Sequence, residues 1–304
     1  MSFWQKAQTY WQMWRWLSWK ECAWAWQKFW AERAIRQSEQ TISRLPPLFV
    51  QKNAALRAWI ARGAKISPIA KRLCQLQTEN LRVLIRPQST DWLVFDYVFR
   101  QPLYEPVVRW AEGIGWQPRT IVDLGAYTGF SVLFWRQHFP EAIIWAIEPE
   151  AQNFELLQRN LALNHVGQAV KCWKAALWQH DTQLTFTQPP SPEQAWALQL
   201  TPADELSTLA HNQVVSGWSV RRLREMLGNR PIDLLKINIE GAEAWILQDP
   251  DFQQFILPNL QVLVFEWHSG TDFDLSVFRK LAEAHFQLVS QGRWHFAFRQ
   301  NNKI

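Results

Sequence analysis

The chain has 304 residues, 48% of them hydrophobic and 19% charged, which allows one large folded domain with an appendage and excludes disorder, collagen and low-complexity arrays. Its three cysteines, Cys22, Cys74 and Cys172, show neither CxxC spacing nor an even framework, so a disulfide scaffold and a zinc ribbon are excluded and a reducing, cytoplasmic setting is expected. The net charge of +5 is uneven, because residues 1–80 hold 13 Lys and Arg against 4 Asp and Glu, net +9, and the remainder holds 19 against 23, net −4.

The basic first quarter also carries nine of the 21 tryptophans, eight of them between Trp4 and Trp30, so charge and composition change together near residue 80. Residues 1–80 are therefore read as a basic, Trp-rich helical extension and 81–304 as the main domain. From Phe3 to about Arg36 there is no Pro or Gly, which suits one long helix or two short ones. Lys6, Arg15, Lys20, Glu21 and Lys28 interrupt its apolar runs well short of the ~20 residues of a membrane span. Pro46 and Pro47 end this segment, and Ala54–Leu76 reads as a second basic helical stretch that restarts around Pro68. Two uses of this start stay open. Trp beside Lys and Arg suits peripheral contact with a membrane headgroup zone, and it also suits helices that pack their rings on the main domain or on a second subunit. No nucleic acid partner is expected, because the charges are unclustered and no recognition motif accompanies them.

Beyond residue 80, strand-like runs at Ile121–Leu124, Ile143–Ile147, Val170–Trp173, Ile232–Ile239 and Val262–Trp267 alternate with helical patterns at Val132–His138, Gln152–Leu163, Val220–Leu227 and Leu275–Ala284. This rhythm implies parallel pairing with right-handed crossovers, hence an α/β doubly wound sheet. Phe286–Val289 and Trp294–Phe298 flank Gln291-Gly292 and predict a closing hairpin.

The first strand runs into Asp123-Leu124-Gly125-Ala126-Tyr127-Thr128-Gly129, a turn with glycines four apart that opens a helix. Bare backbone there permits close approach of a ligand. The turn lacks the GxGxxG triplet of dinucleotide sites and carries Asp123 at the strand end, a carboxylate that suits the amine and sulfonium of S-adenosylmethionine. Glu148, with Pro149, ends the second strand twenty-three residues after Gly125, the position of an acid that clamps ribose hydroxyls. Farther on, strand alternation puts Lys236, Asn238 and Glu240 on one face, opposite Leu235, Ile237 and Ile239. They belong to a cleft or, alternatively, Lys236 and Glu240 pair at a strand edge. Glu266 and His268 repeat the arrangement on the next strand. Trp178, Trp196 and Trp218 sit on connections where rings serve as core, lid or sugar-stacking groups, and Thr201–Ser219 is a candidate substrate wall.

From Leu81 to Phe298 the chain resembles the FkbM family of S-adenosylmethionine-dependent methyltransferases. The likeness rests on Ile85 to Asp91 with Tyr104, on Asp123 to Gly129, on Glu148-Pro149 with Asn153, Phe154 and Asn160, on Ala175-Ala176, on Asp233 to Glu243 and on Glu266-Trp267-His268. The run Lys-Ile-Asn-Ile-Glu-Gly-Ala-Glu at 236–243 is the most diagnostic, with Asn238 where the family usually has Asp. The resemblance implies a class I methyltransferase fold, a Rossmann-like, mostly parallel seven-stranded sheet with a terminal antiparallel hairpin. It also implies O-methylation of a sugar, glycan or natural-product hydroxyl. The expected cofactor residues are Asp123, Gly125, Ala126, Tyr127, Thr128, Gly129, Glu148, Pro149, Ala175 and Ala176. His268 is the first candidate for the general base, oriented by Glu266, with Glu240 second and Lys236 and Asn238 beside them. No metal is expected, since the other histidines form no ligand-like cluster. The rivals are a nicotinamide oxidoreductase on a similar sheet and a non-catalytic membrane-surface or assembly module built on residues 1–80.

Overall fold

The computed structural model describes residues 58–70, 73–86, 89–101, 103–186, 200–203, 214–268 and 275–300. The expected helices of residues 3–36, their membrane or subunit contact, and Trp196 lie outside the described residues.

The chain enters through a helical turn at 58–61 and an antiparallel sheet of β1 (Lys65–Ala70), β2 (Leu73–Gln77) and β3 (Arg82–Ile85). The helix expected over Ala54–Leu76 is thus replaced, from Lys65 onward, by a hairpin. Leu76 is fully buried there and Cys74 nearly so, and burial of this alternating face outweighs the local helix propensity. The shift in composition at residue 80 is not a structural seam, since β2 pairs with β3 across it. Trp59, Ile60, Leu76, Val83 and Ile85 share one apolar cluster with Ile121 and Ile144 of the central sheet.

Helices α1 (Asp91–Phe99) and α2 (Glu105–Ile114) follow, and then the wound unit. Its elements are β4 (Thr120–Leu124), α3 (Phe130–His138), β5 (Ile143–Ile147), α4 (Ala151–Leu163) and β6 (Val170–Trp173). A side sheet is formed by β7 (Ala175–Leu177), β8 (Thr182–Phe186), β9 (Leu200–Pro202) and β10 (Val214–Trp218). The chain then returns through α5 (Val220–Met226), β11 (Leu234–Ile237), α6 (Glu243–Gln248), β12 (Val262–Glu266), α7 (Leu275–Glu283), β13 (Phe286–Gln291) and β14 (Trp294–Arg299). The central sheet has seven strands in the order β13-β14-β12-β11-β4-β5-β6. The inner pairs are parallel, and β14 runs antiparallel to both β12 and β13.

Strands β4, β11 and β12 are buried along their whole length, as a sheet covered on both faces requires. Alternation divides their side chains between two cores. Ile121, Leu234, Val262 and Val264 pack on one face, while Val122, Leu124, Leu235, Ile237 and Leu263 pack on the other. The chain leaves β4 toward β5 and β6 and later returns to β4's other side as β11, so the strand order reverses between β4 and β11. Ligand crevices in open α/β sheets form at the carboxyl ends of strands at such a reversal. Among the described residues, no helix is long and apolar enough to cross a membrane.

Candidate active site

A cavity of about 590 Å³ lies at that reversal, over the ends of β4, β5, β7 and β11. Its floor is the turn after β4. Gly125 has φ 75°, and a Cβ there would stand 1.8 Å from the Asn238 carbonyl oxygen, so the two strand ends approach to a distance only glycine permits. Gly129, at φ 88°, precedes α3 and faces Leu157 of α4, whose Cδ1 would lie 2.6 Å from an added Cβ. The first glycine shapes the floor, and the second lets two helices close.

Gly125, Ala126 and Tyr127 line the cavity, as do Glu148, Pro149, Ala175 and Ala176. Among the expected cofactor residues, Asp123, Thr128 and Gly129 do not. Thr128 is sealed in the core and contributes its carbonyl to Asn160 Nδ2 at 2.8 Å. Asp123 is fully buried with its carboxylate 3.0 Å from Lys236 Nζ, so its charge is matched inside the protein and it does not face a bound cation. The strand register explains this, because Lys236 is the β11 partner of Asp123. Lys236 Nζ also donates to the carbonyls of Gly125 at 2.6 Å and Leu124 at 3.3 Å. Two ammonium hydrogens are thereby committed to the turn and the charge to Asp123, so Lys236 is a brace beneath the turn.

Glu148 directly follows β5 and lines the cavity. Its Oε2 accepts the Tyr127 amide at 2.9 Å, and its Oε1 accepts the Glu150 amide at 3.1 Å and Asn153 Nδ2 at 3.2 Å. A carboxylate has about four acceptor positions, so Oε2 retains one for a ligand. Burial pushes this acid up to about 7, against the three hydrogen bonds that favour its charge.

At the opposite wall the chain turns sharply after β11, with Glu240 at φ 55° and Gly241 at φ 99°. Glu240 and Glu266 both line the cavity. His268 stands behind them and bonds Glu243 Oε1 through Nδ1 at 2.8 Å, with Nε2 3.5 Å from both Glu240 and Glu266. Glu243, from the start of α6, is therefore the closer orienting group, and Glu266 lies farther off. Burial works against a charge on the imidazole, but the hydrogen bond with Glu243 and the nearby carboxylates of Glu266 and Glu240 outweigh it and bring His268 to about 10. An imidazolium has no lone pair with which to take a proton, so these carboxylates weigh against the expectation of His268 as the base and favour the second candidate, Glu240. Burial pushes Glu240 up to about 7, with Glu266 and Glu243 adding to the rise and His268 opposing it. The pairing of Lys236 with Glu240 is likewise replaced by Lys236–Asp123 and Glu240–His268.

Residues 123–288 match the model of the methyltransferase FkbM domain, more than half of the chain. This protein belongs to the FkbM methyltransferase family. It is similar to Methyltransferase 1 of Beauveria bassiana, 27% identical over 151 residues, covering 45% of this chain and 60% of that protein. It is also similar to Methyltransferase sdnD of Sordaria araneosa, 29% identical over 171 residues, covering 48% of this chain and 66% of that protein. The chain thus spans less than two thirds of the length of these relatives. A solved S-adenosylmethionine-dependent methyltransferase from Agrobacterium tumefaciens aligns over 77% of this chain and 72% of its own with 11% identity and a TM-score of 0.41.

Within this FkbM domain the fit to a sulfonium nucleoside rests on three features of the cavity. The floor admits no Cβ at Gly125, Glu148 retains an acceptor position, and the Asn238 side-chain oxygen is buried on the wall with no hydrogen-bond partner among the described residues. Sequence reasoning gives no site role to Arg293 and Trp294, which line the wall beside Glu266; Tyr104, one of the residues of the family likeness, packs its ring against Trp294 at 5.7 Å. Arg293 Nη2 pairs with Glu266 at 3.1 Å. Arg293 and Trp294 come from the far hairpin, and no local spacing ties them to the motif strands. Trp178 lines the cavity with Leu200 and Phe186, whereas Trp218 packs against Trp173.

Proposed function

We propose that the protein methylates a hydroxyl group of a sugar, glycan or natural product, with S-adenosylmethionine as methyl donor. The observation that carries this reading is that Glu148 and Glu240 open into one cavity from opposite sides of the Gly125 turn. When bound, the cofactor supplies a methyl group already activated by its positively charged sulfur.

The protein's own tasks are then to bind, orient and remove a proton. Glu148 accepts a ribose hydroxyl at Oε2, and Asn238 Oδ1 accepts an N–H or O–H from a ligand. Orientation of this kind contributes ~7–11 kcal/mol to lowering a bimolecular barrier, and a positioned base adds ~10²–10⁴-fold. Glu240 is that base, since its carboxylate faces the cavity and its rise to about 7 leaves it basic enough to take the hydroxyl proton and still largely ionised just above neutrality. Protonated His268 keeps a positive charge 3.5 Å from Glu240 and holds the turn in place through Glu243. The lining beside Glu240 combines Tyr104, Trp294 and Trp245 with Glu266 and Arg293, rings and hydrogen-bonding groups that suit the apolar faces and hydroxyls of such an acceptor.

Mass spectrometry of a cell extract incubated with the protein and methyl-labelled cofactor tests the reading. Label on a hydroxyl oxygen of a small molecule or glycan is expected. Label confined to nitrogen, carbon or sulfur acceptors contradicts it, and a protein that binds NADH but no sulfonium nucleoside returns the question to an oxidoreductase.

A further inference from the structure

Glu148 is oriented by residues outside its own strand. Two of its three donors, the Tyr127 amide and Asn153 Nδ2, lead back to one ion pair. Asn153 presents Oδ1 to Arg86 Nη2 at 2.8 Å and Nδ2 to Glu148 Oε1 at 3.2 Å. A primary amide has one accepting and one donating end, so a guanidinium at the oxygen obliges the nitrogen to face the carboxylate. Arg86 is itself held in a fork by Asp91, Nε to Oδ2 at 3.0 Å and Nη2 to Oδ1 at 2.8 Å, while the Arg86 amide donates to Oδ2 at 2.8 Å. Asp91 is fully buried.

The second route runs through Tyr127. Its hydroxyl donates to Asp91 Oδ1 at 2.6 Å, and its amide donates to Glu148 Oε2 at 2.9 Å. Tyr127 has φ 53°, a left-handed conformation that a bulky residue adopts only when its surroundings hold it there. The phenol's anchorage on Asp91, with Arg86 Nη2 at 3.2 Å and the Thr90 hydroxyl at 3.1 Å, provides that hold.

We propose that the Arg86–Asp91 pair is a positioning device for cofactor binding, which fixes both Asn153 and Tyr127 against Glu148 and so aims the free side of its carboxylate at ribose. The inference rests on Glu148 as the ribose acid. It extends the working site beyond the segment that matches the family model, because residues 86 and 91 precede the match at 123–288. A pair that merely docked the start of α1 would explain the Arg86–Asp91 bonds but would not require Arg86 to meet the Asn153 oxygen.

Calorimetric titration of the full chain with S-adenosylhomocysteine and with its 2′-deoxyribose analogue separates the two. The wild-type protein is expected to favour the ribose form about tenfold, the worth of one charge-assisted hydrogen bond. Arg86→Met and Asn153→Leu are expected to lose about tenfold toward S-adenosylhomocysteine and little toward the analogue, so that the preference collapses toward unity. Thermal unfolding establishes that each variant is folded, and Asn153→Leu, which leaves the Arg86–Asp91 pair intact, carries the test if Arg86→Met is not. An undiminished preference in a folded variant overturns the relay. A wild-type protein that binds neither ligand, or binds both equally, overturns the reading of Glu148 and the relay with it.

Discussion

Lys236 faces Asp123 across adjacent parallel strands with 3.0 Å between Nζ and Oδ1, and both side chains are almost wholly removed from solvent. The pair lies directly under the glycine turn and gives it a charged but internally neutral foundation. Breaking a buried pair on one side strands a charge in a poorly solvating interior, at a cost of about 3–5 kcal/mol. Lys236→Met is therefore expected to lower unfolding free energy by about that amount. Adding Asp123→Asn, which removes the stranded charge, is expected to restore most of it. Urea denaturation checks both, and additive losses in the double variant would show that the two side chains do not interact.

The two turn glycines are predicted to differ. Gly125→Ala drives a Cβ to 1.8 Å from a backbone oxygen that cannot step aside without shifting β11, whereas Gly129→Ala meets a leucine methyl at 2.6 Å that can rotate. Each alanine also carries the strain of a left-handed φ, of order 1 kcal/mol. Gly125→Ala is expected to abolish S-adenosylhomocysteine binding, and Gly129→Ala to leave a folded, weakened binder, as read by thermal shift and calorimetry.

Glu240→Gln keeps the shape of the cavity wall and removes its base. Turnover is expected to fall ~10²–10⁴-fold with cofactor affinity nearly unchanged. A variant that retains turnover would remove Glu240 from the chemistry. His268→Ala is expected to slow turnover less, with cofactor affinity retained, because it loosens the Glu240 turn without taking the base away.

The pH dependence has a definite sign. Glu240 acts as an anion, so turnover is expected to climb as pH rises through about 7 and to hold until the imidazolium of His268 is lost near 10. Stability follows the same groups. Glu240 and Glu148 have folded values raised above the ordinary carboxylate range, so the stability they confer when neutral is lost as pH rises from that range through about 7. His268, also raised, confers stability that is present below its ordinary value and lost as pH rises through about 10. Rate and melting profiles of His268→Gln should lack the alkaline step, and an unchanged step would place it on another group.

Much of this site was legible in the sequence, for a physical reason. Strand ends at a sheet's ligand edge carry polar residues in place of the apolar alternation beneath them, which marked Gly125, Glu148 and the run after Lys236. What stayed hidden depended on register and on distant partners. Nothing in the sequence states that β11 would set Lys236 opposite Asp123, 113 positions away, and so turn a ligand-facing acid into a buried counter-ion. The contact of His268 with Glu243, which favours a charged imidazole, is likewise invisible, since it depends on Glu243 arriving from the following helix. The hairpin of residues 65–77 looks helical in sequence because its short basic segment has no turn signal between the strands, and only the burial of Leu76 against the main core reveals its period. Composition changes at residue 80, but apolar contact does not respect it.

Calorimetry of S-adenosylhomocysteine with the wild-type chain and Glu148→Ala bears most directly on the central claim, that the cavity above Gly125 holds a sulfonium nucleoside by its ribose. One saturable site in the wild type, with affinity at least about tenfold weaker in a folded Glu148→Ala, is the predicted result. Equal affinities in the two proteins, or no binding to the wild type, would contradict it.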